Sequence, residues 1–451
     1  MRASFLTAIA ILVLIGAFPA RAQTHDIGTA EFAARRAELM RRFPDGVILL
    51  HAESGEKPES EPSFIQNSSF YYFTGLAGVA GAVLVLDAPA NESVLFVPPV
   101  PFAFGYQVNG VVPETNEASA QALGMTRVVP WNDLRAFLQR RAATVQKFYV
   151  DDARRPEALG MPDGMAEVSG SRTLFKQSIG AVVGPDRMTS AAQAIREMRF
   201  VKSASEIAIL RDNAHKTVQA MRASVPSIRP GVRQRQVEMK VASSCVEAGA
   251  VGPSFWPWTM SGPNAHVPML VKSVYSYDQL DRVMQAGDVV RVDIGCTAHH
   301  YGADVGRTFP AAKTFSAGQR ETWNLLIAAY KAGMASMRPG VTIADVLATS
   351  RAEIERQRAN LRTSLGRQAA DVLLGTDGMA QWSIHAVGVD SGETPLQTLV
   401  AGAVLAFEPI FSVGADAFYL EDMILITPTG HEVLSAGLPY TAAEIEAAKQ
   451  P

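Results

Sequence analysis

The C-terminal half of the chain contains the same pattern twice. A helical segment ends in SIRPGV at 227–232, and a second ends in SMRPGV at 336–341, about a hundred residues later. Each is followed by another helical pattern and then by an apolar stretch. In that stretch an acidic residue stands six positions after a glycine, Asp293 in one copy and Glu408 in the other. Repetition of a whole order of elements predicts a duplicated α/β unit.

Each copy also carries a second acidic residue. Asp304 stands 11 residues after Asp293, and Glu421 stands 13 residues after Glu408. This spacing fits two β-hairpins in which each pair of acids lies on neighbouring strands. Proline and glycine recur after helices for ordinary reasons of helix termination, so the RPGV match alone is weak. The paired spacing of the acids makes duplication the better interpretation.

These acids lie in strands that are too apolar for a solvated surface. Strand alternation puts Asp293 on the face opposite Val290, Val292 and Ile294. It likewise puts Glu408 opposite Leu405 and Phe407. Burying an unpaired carboxylate costs several kcal/mol, so four that face one cavity require cations or raised pKa values. Two divalent ions would neutralise them, and His385 is the nitrogen candidate. A single Asp is more often exposed and a single His more often structural, so the prediction depends on the set.

The N-terminal half has the pattern of a mixed α/β unit. A helix is predicted at 29–43, and further helices at 117–123 and 132–141. The turn at 184–186 precedes a helix that opens with the capping box at 203–206. We place a domain boundary near residue 188. The predicted strands are 47–50, 70–73, 82–86, 94–97 and 148–150.

The first 22 residues have the features of a signal peptide. Arg2 precedes an apolar stretch at 5–18, and Ala20-Arg21-Ala22 fits an A-x-A cleavage site. The apolar stretch is shorter than the roughly 20 residues needed to span a membrane, which favours cleavage over a retained anchor. We predict a mature chain that begins near Gln23, is periplasmic or secreted, and does not associate with the membrane.

Two cysteines, Cys245 and Cys296, occur in the chain. Export would permit a disulfide, but Cys296 lies in an apolar strand beside a candidate ligand. We therefore predict two buried free thiols.

The overall charge argues against a polyanionic partner. The formal net charge is -3 and the pI is near 6.3, with no long run of Lys and Arg. Nucleic acid is therefore disfavoured as a partner.

The candidate ligands occur in contexts that resemble one family. Their order and their surrounding motifs are similar to those of the aminopeptidase P, prolidase and methionine aminopeptidase family over residues 190–440. The segment SFYYFTG at 69–75 resembles the creatinase-like N-terminal domain of aminopeptidase P. The resemblance implies an α/β (α+β) fold class, with a creatinase-like α/β domain at 23–188 and a pita-bread pseudo-twofold domain at 189–451. The motifs are VDIG at 292–295, ADVGRTFP at 303–310, HAVG at 385–388, FEP at 407–409 and LED at 420–422.

The resemblance also implies which residues bind each metal ion. Asp304 and Glu421 would bridge two divalent ions, Asp293 would chelate one, and His385 with Glu408 would complete the other. One imidazole among carboxylates favours Mn, with Co, Fe and Zn as alternatives. Two such ions polarise a carbonyl and activate water, and Glu408 would pass the proton toward the leaving nitrogen. A peptide or dipeptide substrate and a homo-oligomer are implied as well.

The chain departs from the family around these ligands. Met269 stands where the family has a histidine, and His266 lies nearby at a different offset. Two further family histidines are replaced by Gln381 and Gly392, and a family arginine by Tyr419. Alternation still directs Tyr419 into the same cavity. We take these four replacements as substrate-side positions and His266 as a second catalytic candidate, with a surface or packing role as its competing interpretation.

Three functions fit the sequence. The first is an exported Xaa-Pro aminopeptidase-like hydrolase, weakened because loss of one preformed donor lowers a rate by about 10²–10³-fold. The second is a prolidase-type dipeptidase or another metal-dependent enzyme on the same fold. The third is a weakly active, metal-stabilised peptide-binding protein. Aromatic residues in FWPW at 255–258 could line a proline-selective pocket, although a core strand explains them equally well.

Overall fold

A computed structural model describes residues 27–54, 65–103, 105–153 and 171–450. The predicted signal peptide at 1–22 lies outside these ranges and stays a prediction. Within the described part of the chain, no helix is long and apolar enough to cross a membrane.

The N-terminal half is built on one six-stranded mixed sheet. Its elements are α1 (Thr29–Arg42), β1 (Gly46–His51), α2 (Ser68–Thr74), β2 (Val83–Asp87), β3 (Glu92–Val97), β4 (Phe102–Ala103), β5 (Tyr106–Gln107), α3 (Glu117–Ala122), β6 (Arg127–Pro130), α4 (Leu134–Ala142), β7 (Lys147–Val150), α5 (Ser171–Val183) and β8 (Met188–Ser190). The strand order is β6-β3-β2-β1-β7-β8. The contacts of β1 with β2 and of β2 with β3 are antiparallel, whereas those of β1 with β7, β3 with β6 and β7 with β8 are parallel. Apolar side chains cover both faces of this sheet.

One predicted strand in this half is wrong. Residues 70–73 lie in the helix α2, whereas the other four predicted strands are confirmed. The side chain of Asn67 accepts hydrogen bonds from the backbone N–H groups of Ser69 and Phe70 and so begins the helix. Gly75, at φ 73°, ends it. Every residue of α2 is buried, which removed the polar face that would have marked a helix.

The C-terminal half contains the two copies. Its elements are α6 (Ala192–Phe200), α7 (Ala204–Ser224), α8 (Gln234–Glu247), β9 (Gly252–Pro253), β10 (Trp258–Ser261), α9 (Val267–Ser276), β11 (Val289–Ile294), β12 (Cys296–Ala298), β13 (Tyr301–Gly302), β14 (Val305–Pro310), α10 (Ala317–Ser336), α11 (Ile343–Arg358), α12 (Ser364–Leu374), β15 (Ala380–Ala386), β16 (Val404–Val413), β17 (Asp416–Tyr419), β18 (Asp422–Ile426), β19 (His431–Val433) and α13 (Ala442–Ala448). The predicted capping box at Ser203 and Glu206 is present at the start of α7.

The strands of the two copies correspond. The first copy forms the sheet β10-β11-β14, and the second forms β15-β16-β18-β19 with β17 also paired to β16. Asp293 lies opposite Trp258 on β10, and Glu408 lies opposite Ser383 on β15. The second acid of each copy stands at a strand end, since Asp304 precedes β14 and Glu421 precedes β18.

A short backbone bridge joins the two copies. The N–H of Gly306 donates to the carbonyl of Glu421 at 3.2 Å, and the N–H of Glu421 donates to the carbonyl of Gly306 at 2.9 Å. The guanidinium of Arg307 donates to the same Glu421 carbonyl at 2.6 Å and pairs with Asp422 at 2.9 Å. The backbone that carries a candidate ligand is therefore held from the other copy.

The prediction of two free thiols is wrong. Cys245 on α8 and Cys296 on β12 form a disulfide. The helix packs on the strand so that their Cα atoms lie 5.5 Å apart, within the normal range for a bridge. The sequence separation of 51 residues gave no sign of this proximity.

Candidate metal centre

Three predicted ligands lie close enough to share one ion. One ligand atom from each of Asp304, His385 and Glu421 lies within 4.8 Å of the others. His385 Nε2 is 3.7 Å from Asp304 Oδ2, 3.5 Å from Glu421 Oε1 and 3.5 Å from Glu408 Oε1. Strands from both copies therefore bring carboxylates to a single imidazole nitrogen.

Burial and mutual repulsion both act on the carboxylates of the centre. Burial, together with the charge of Glu421, raises the pKa of Asp293 and of Asp304 well above the ordinary value and also raises that of Glu408. Burial alone would lower the pKa of His385, but the contact of its Nε2 with Glu421 Oε1 at 3.5 Å and the nearby carboxylate charges raise it to about 9. A cluster of buried like charges raises pKa values in this way, and a bound cation would offset that negative charge.

Two observations fit a divalent cation. Glu421 is fully buried, and its Oε1 has no hydrogen-bond partner among the described residues. A buried carboxylate oxygen in that state costs free energy unless a cation or proton meets it. His385 Nδ1 lies 3.1 Å from the carbonyl of Ala386, so Nδ1 carries a proton and the lone pair of Nε2 could bind a metal ion.

Tyr419 lies among the ligands. Its hydroxyl donates to Glu421 Oε2 at 2.5 Å and is 3.3 Å from Glu408 Oε2. The ring lies against Gly306, where an added Cβ would come within 1.9 Å of a ring carbon. Burial and the charge of Asp293 raise the Tyr419 pKa well above its ordinary value, so the phenol stays protonated. The sequence interpretation of Tyr419 as a cavity-facing residue agrees with this position.

The other replacement positions lie away from these contacts. Met269 packs against a small apolar cluster that includes Met260. Gln381 is exposed on β15, and alternation puts it on the same face as His385. Gly392 lies in a turn, and a Cβ there would meet nothing within 4 Å.

His266, the second catalytic candidate, is placed beside a different acid. It follows a short 3-10 turn, and its charge acts on Asp416 at the start of β17. Its Nε2 is buried without a hydrogen-bond partner among the described residues. The contacts described for it are not with the carboxylates of the centre, so the structure leaves its role a prediction.

A network of ion pairs and hydrogen bonds holds the loop that contains Gly392. Arg199 Nη2 lies 2.7 Å from Asp390 Oδ2 and 2.6 Å from Glu393 Oε1. Ser68 of the N-terminal half donates to Asp390 Oδ1 at 2.5 Å. Burial alone would raise the pKa of Glu393, but the Arg199 charge lowers it to about 2. Sequence reasoning missed this network because its members come from three separate segments.

Sequence reasoning also missed Arg291. It is two positions before Asp293 on β11, so alternation puts both on one face. The side chain is 1% exposed, and its guanidinium carbon lies 5.6 Å from the centre of the Tyr419 ring. A lone Arg within an otherwise apolar run was a signal that could have identified it.

Comparison with known proteins agrees with the fold. Residues 208–428 match the family described as metallopeptidase family M24, and residues 32–149 match the aminopeptidase P N-terminal domain. The Xaa-Pro aminopeptidase of Escherichia coli is 28% identical, over 94% of this chain and 98% of that protein. The solved structure of E. coli aminopeptidase P with the inhibitor Pro-Leu superposes with a TM-score of 0.72 at 26% identity, covering 94% of this chain and 98% of that one.

Both halves of the fold are therefore those of one class of metallopeptidase, in which a pita-bread domain follows an N-terminal α/β domain along the chain. The chain belongs to the aminopeptidase P family. Membership implies a peptidase that uses divalent metal ions. The Xaa-Pro dipeptidase of Pyrococcus horikoshii is also similar, at 28% identity over 53% of this chain and 64% of that protein.

Proposed function

We propose that the chain is an exported Xaa-Pro aminopeptidase that uses two divalent ions, with Mn as the best fit, to release the residue before an N-terminal proline. The observation that carries the proposal is the convergence of carboxylates from both copies on His385 Nε2. The similarity to the E. coli Xaa-Pro aminopeptidase over nearly the whole of both chains supports the choice of substrate. One imidazole among carboxylates suits Mn, with Co, Fe and Zn as alternatives.

The side chains of the centre have different roles in metal binding and proton transfer. Asp293, Asp304, His385, Glu408 and Glu421 would hold the ions, which when bound polarise the scissile carbonyl and activate water. Among three of these carboxylates, the Glu408 side chain is 25% exposed, whereas those of Asp304 and Glu421 are 11% and 0% exposed. Glu408 is therefore the best placed of the three to take a proton and return it to the leaving nitrogen. His385 keeps its own proton on Nδ1, directed at the Ala386 carbonyl.

The replacement of the family histidines favours slow turnover of peptides. It also leaves a dipeptidase as a second candidate function. Gln381 and Gly392 are exposed positions that offer no imidazole to a substrate. Loss of a preformed donor lowers a rate by about 10²–10³-fold. The similarity to the P. horikoshii Xaa-Pro dipeptidase supports a dipeptidase as the alternative, and a weakly active peptide-binding protein follows if no turnover is found.

The test is a comparison of substrates with metal-depleted protein reloaded with Mn, Co, Fe or Zn. We expect cleavage of Xaa-Pro-Yaa tripeptides, best with Mn, and none of the matching Xaa-Ala-Yaa peptides. Gly392→His should raise kcat/KM by about tenfold or more, because a Cβ at this position meets open space and the imidazole restores a donor. Gly287→His is the matched control, since Gly287 is also exposed and open.

Two results would contradict this proposal. Faster cleavage of Xaa-Pro dipeptides than of tripeptides would favour the dipeptidase. Two bound metals without any peptide turnover would exclude both peptidases. An equal gain from the Gly287→His control would show that the added imidazole does not act at the centre.

Export is supported by two independent features. The segment 1–22 has the pattern of a cleavable signal, and the bridge between Cys245 and Cys296 suits an oxidising compartment. We expect the full chain, expressed in a Gram-negative host, to appear in the periplasmic fraction with Gln23 as its first residue. When this protein is denatured without reductant, we expect no reactive thiol, because Cys245 and Cys296 form a disulfide. An intact N-terminus together with two reactive thiols would contradict export.

A further inference from the structure

Arg291 is a buried cation without a full set of partners. It is 1% exposed, and its Nε has no hydrogen-bond partner among the described residues. Nη2 contacts the sulfur of Met260 at 2.8 Å, and a thioether is a weak acceptor. Burying a guanidinium in this way is expensive unless nearby negative charge stabilises it. The acids whose charges act on it are Asp293, Glu408 and Glu421.

Tyr419 stands between this cation and the ligands. The guanidinium of Arg291 faces its ring at 5.6 Å, within cation–π range. The hydroxyl donates to Glu421 Oε2 at 2.5 Å. Gly306, the residue against which the ring lies, pairs with Asp293 between β14 and β11. The ring and the guanidinium therefore lie on the Asp293 side of the centre, while the hydroxyl is also 3.3 Å from Glu408 Oε2.

This arrangement makes the two sides of the centre unequal. Glu421 Oε1 has no hydrogen-bond partner in the described part of the chain and lies 3.5 Å from His385 Nε2, whereas Oε2 accepts a hydrogen bond from the phenol. An ion on the Asp293 side must compete with that hydrogen bond for Oε2. It must also approach a fixed positive charge in a water-poor interior, where repulsion is stronger than in water.

We propose that Arg291 and Tyr419 act together as a positioning pair that holds Glu421 and offsets negative charge, so that the ion on the Asp293 side binds weakly. The ion held by Asp304, His385 and Glu421 Oε1 binds tightly by comparison. This inference rests on the proposed two-metal function and deepens it. Arg291 and Tyr419 would thereby determine how fully the centre is occupied by metal ions.

The test is calorimetric titration of the metal-depleted mature chain with Mn, with the metal retained after gel filtration measured in parallel. We expect one tightly bound ion and a second bound at least about tenfold more weakly. Tyr419→Phe frees Glu421 Oε2 and should tighten the second ion by about tenfold, the effect expected for a hydrogen bond to a charged group. Arg291→Met should tighten it similarly by removing the opposing charge.

The controls distinguish the effect of Arg291 and Tyr419 from the metal centre and the peptidase activity themselves. Arg211→Met removes an exposed guanidinium and should leave both affinities unchanged. Two ions of equal affinity, or a second affinity that neither Tyr419→Phe nor Arg291→Met changes, would overturn the inference while leaving the proposed peptidase intact. If Arg291→Met fails to fold, Tyr419→Phe alone decides. Absence of any bound Mn would overturn the metal centre itself, whereas failure of peptide cleavage would not alter the titration.

Discussion

Replacing His385 with alanine should remove the tightly bound metal ion and lower kcat/KM for an Xaa-Pro tripeptide by about 10³-fold or more. His385 Nε2 lies within 3.7 Å of oxygens from three carboxylates, so its loss leaves those acids without their imidazole partner. The stabilisation of developing charge by a bound metal is worth several kcal/mol, which corresponds to this loss of rate. Metal content after gel filtration and steady-state kinetics at saturating Mn give the two readings.

The matched control for this variant is His215→Ala. His215 is an exposed histidine on α7, so its removal should change neither metal content nor rate. Retention of a tightly bound ion in His385→Ala would mean that the carboxylates alone hold it. In that case the assignment of His385 as a ligand would be wrong.

Replacing Arg307 with methionine should lower the free energy of unfolding by about 3–5 kcal/mol. Arg307 and Asp422 form an ion pair in which both side chains are 0% exposed. The guanidinium also donates to the carbonyls of Gly306, Glu421 and Pro439. The variant leaves the Asp422 carboxylate buried without its cation and those carbonyls without a donor. Urea unfolding of the metal-free protein would measure the change.

The exposed pair Arg211–Glu432 provides the comparison. These side chains are 37% and 44% exposed at a separation of 2.8 Å, so Arg211→Met should cost less than about 1 kcal/mol. Addition of Asp422→Asn to Arg307→Met should recover part of the loss, because it removes the uncompensated charge. Equal destabilisation by Arg307→Met and Arg211→Met would show that burial does not set the strength of the Arg307 pair.

Most of the C-terminal fold followed from sequence, because duplication shows each feature twice, whereas the ligand assignment stays a prediction. The acids at 293 and 304 are matched by those at 408 and 421, and the predicted helices, strands and capping box are present. What the structure adds is proximity: three of the five predicted ligands meet within 4.8 Å.

The failures have a common physical cause. The segment 70–73 is buried on every side, so it offered no polar periodicity and was taken for a strand. The disulfide and the Arg199 network depend on contacts between distant segments, which spacing along the chain does not encode. The role of Arg291 could have been inferred from its place beside Asp293, but its contact with Tyr419 required the two copies to be packed together.

The bridge between Gly306 and Glu421 bears on how such a centre could have arisen. Each copy contributes two acids, and the tightest part of the cluster combines Asp304 from one copy with His385 and Glu421 from the other. A protein made of one copy would assemble an equivalent set only by pairing with a second molecule of itself. Gene duplication and fusion would turn that contact between two molecules into the interior of one. Each copy could then change separately, so Tyr419 could appear in one without a counterpart in the other.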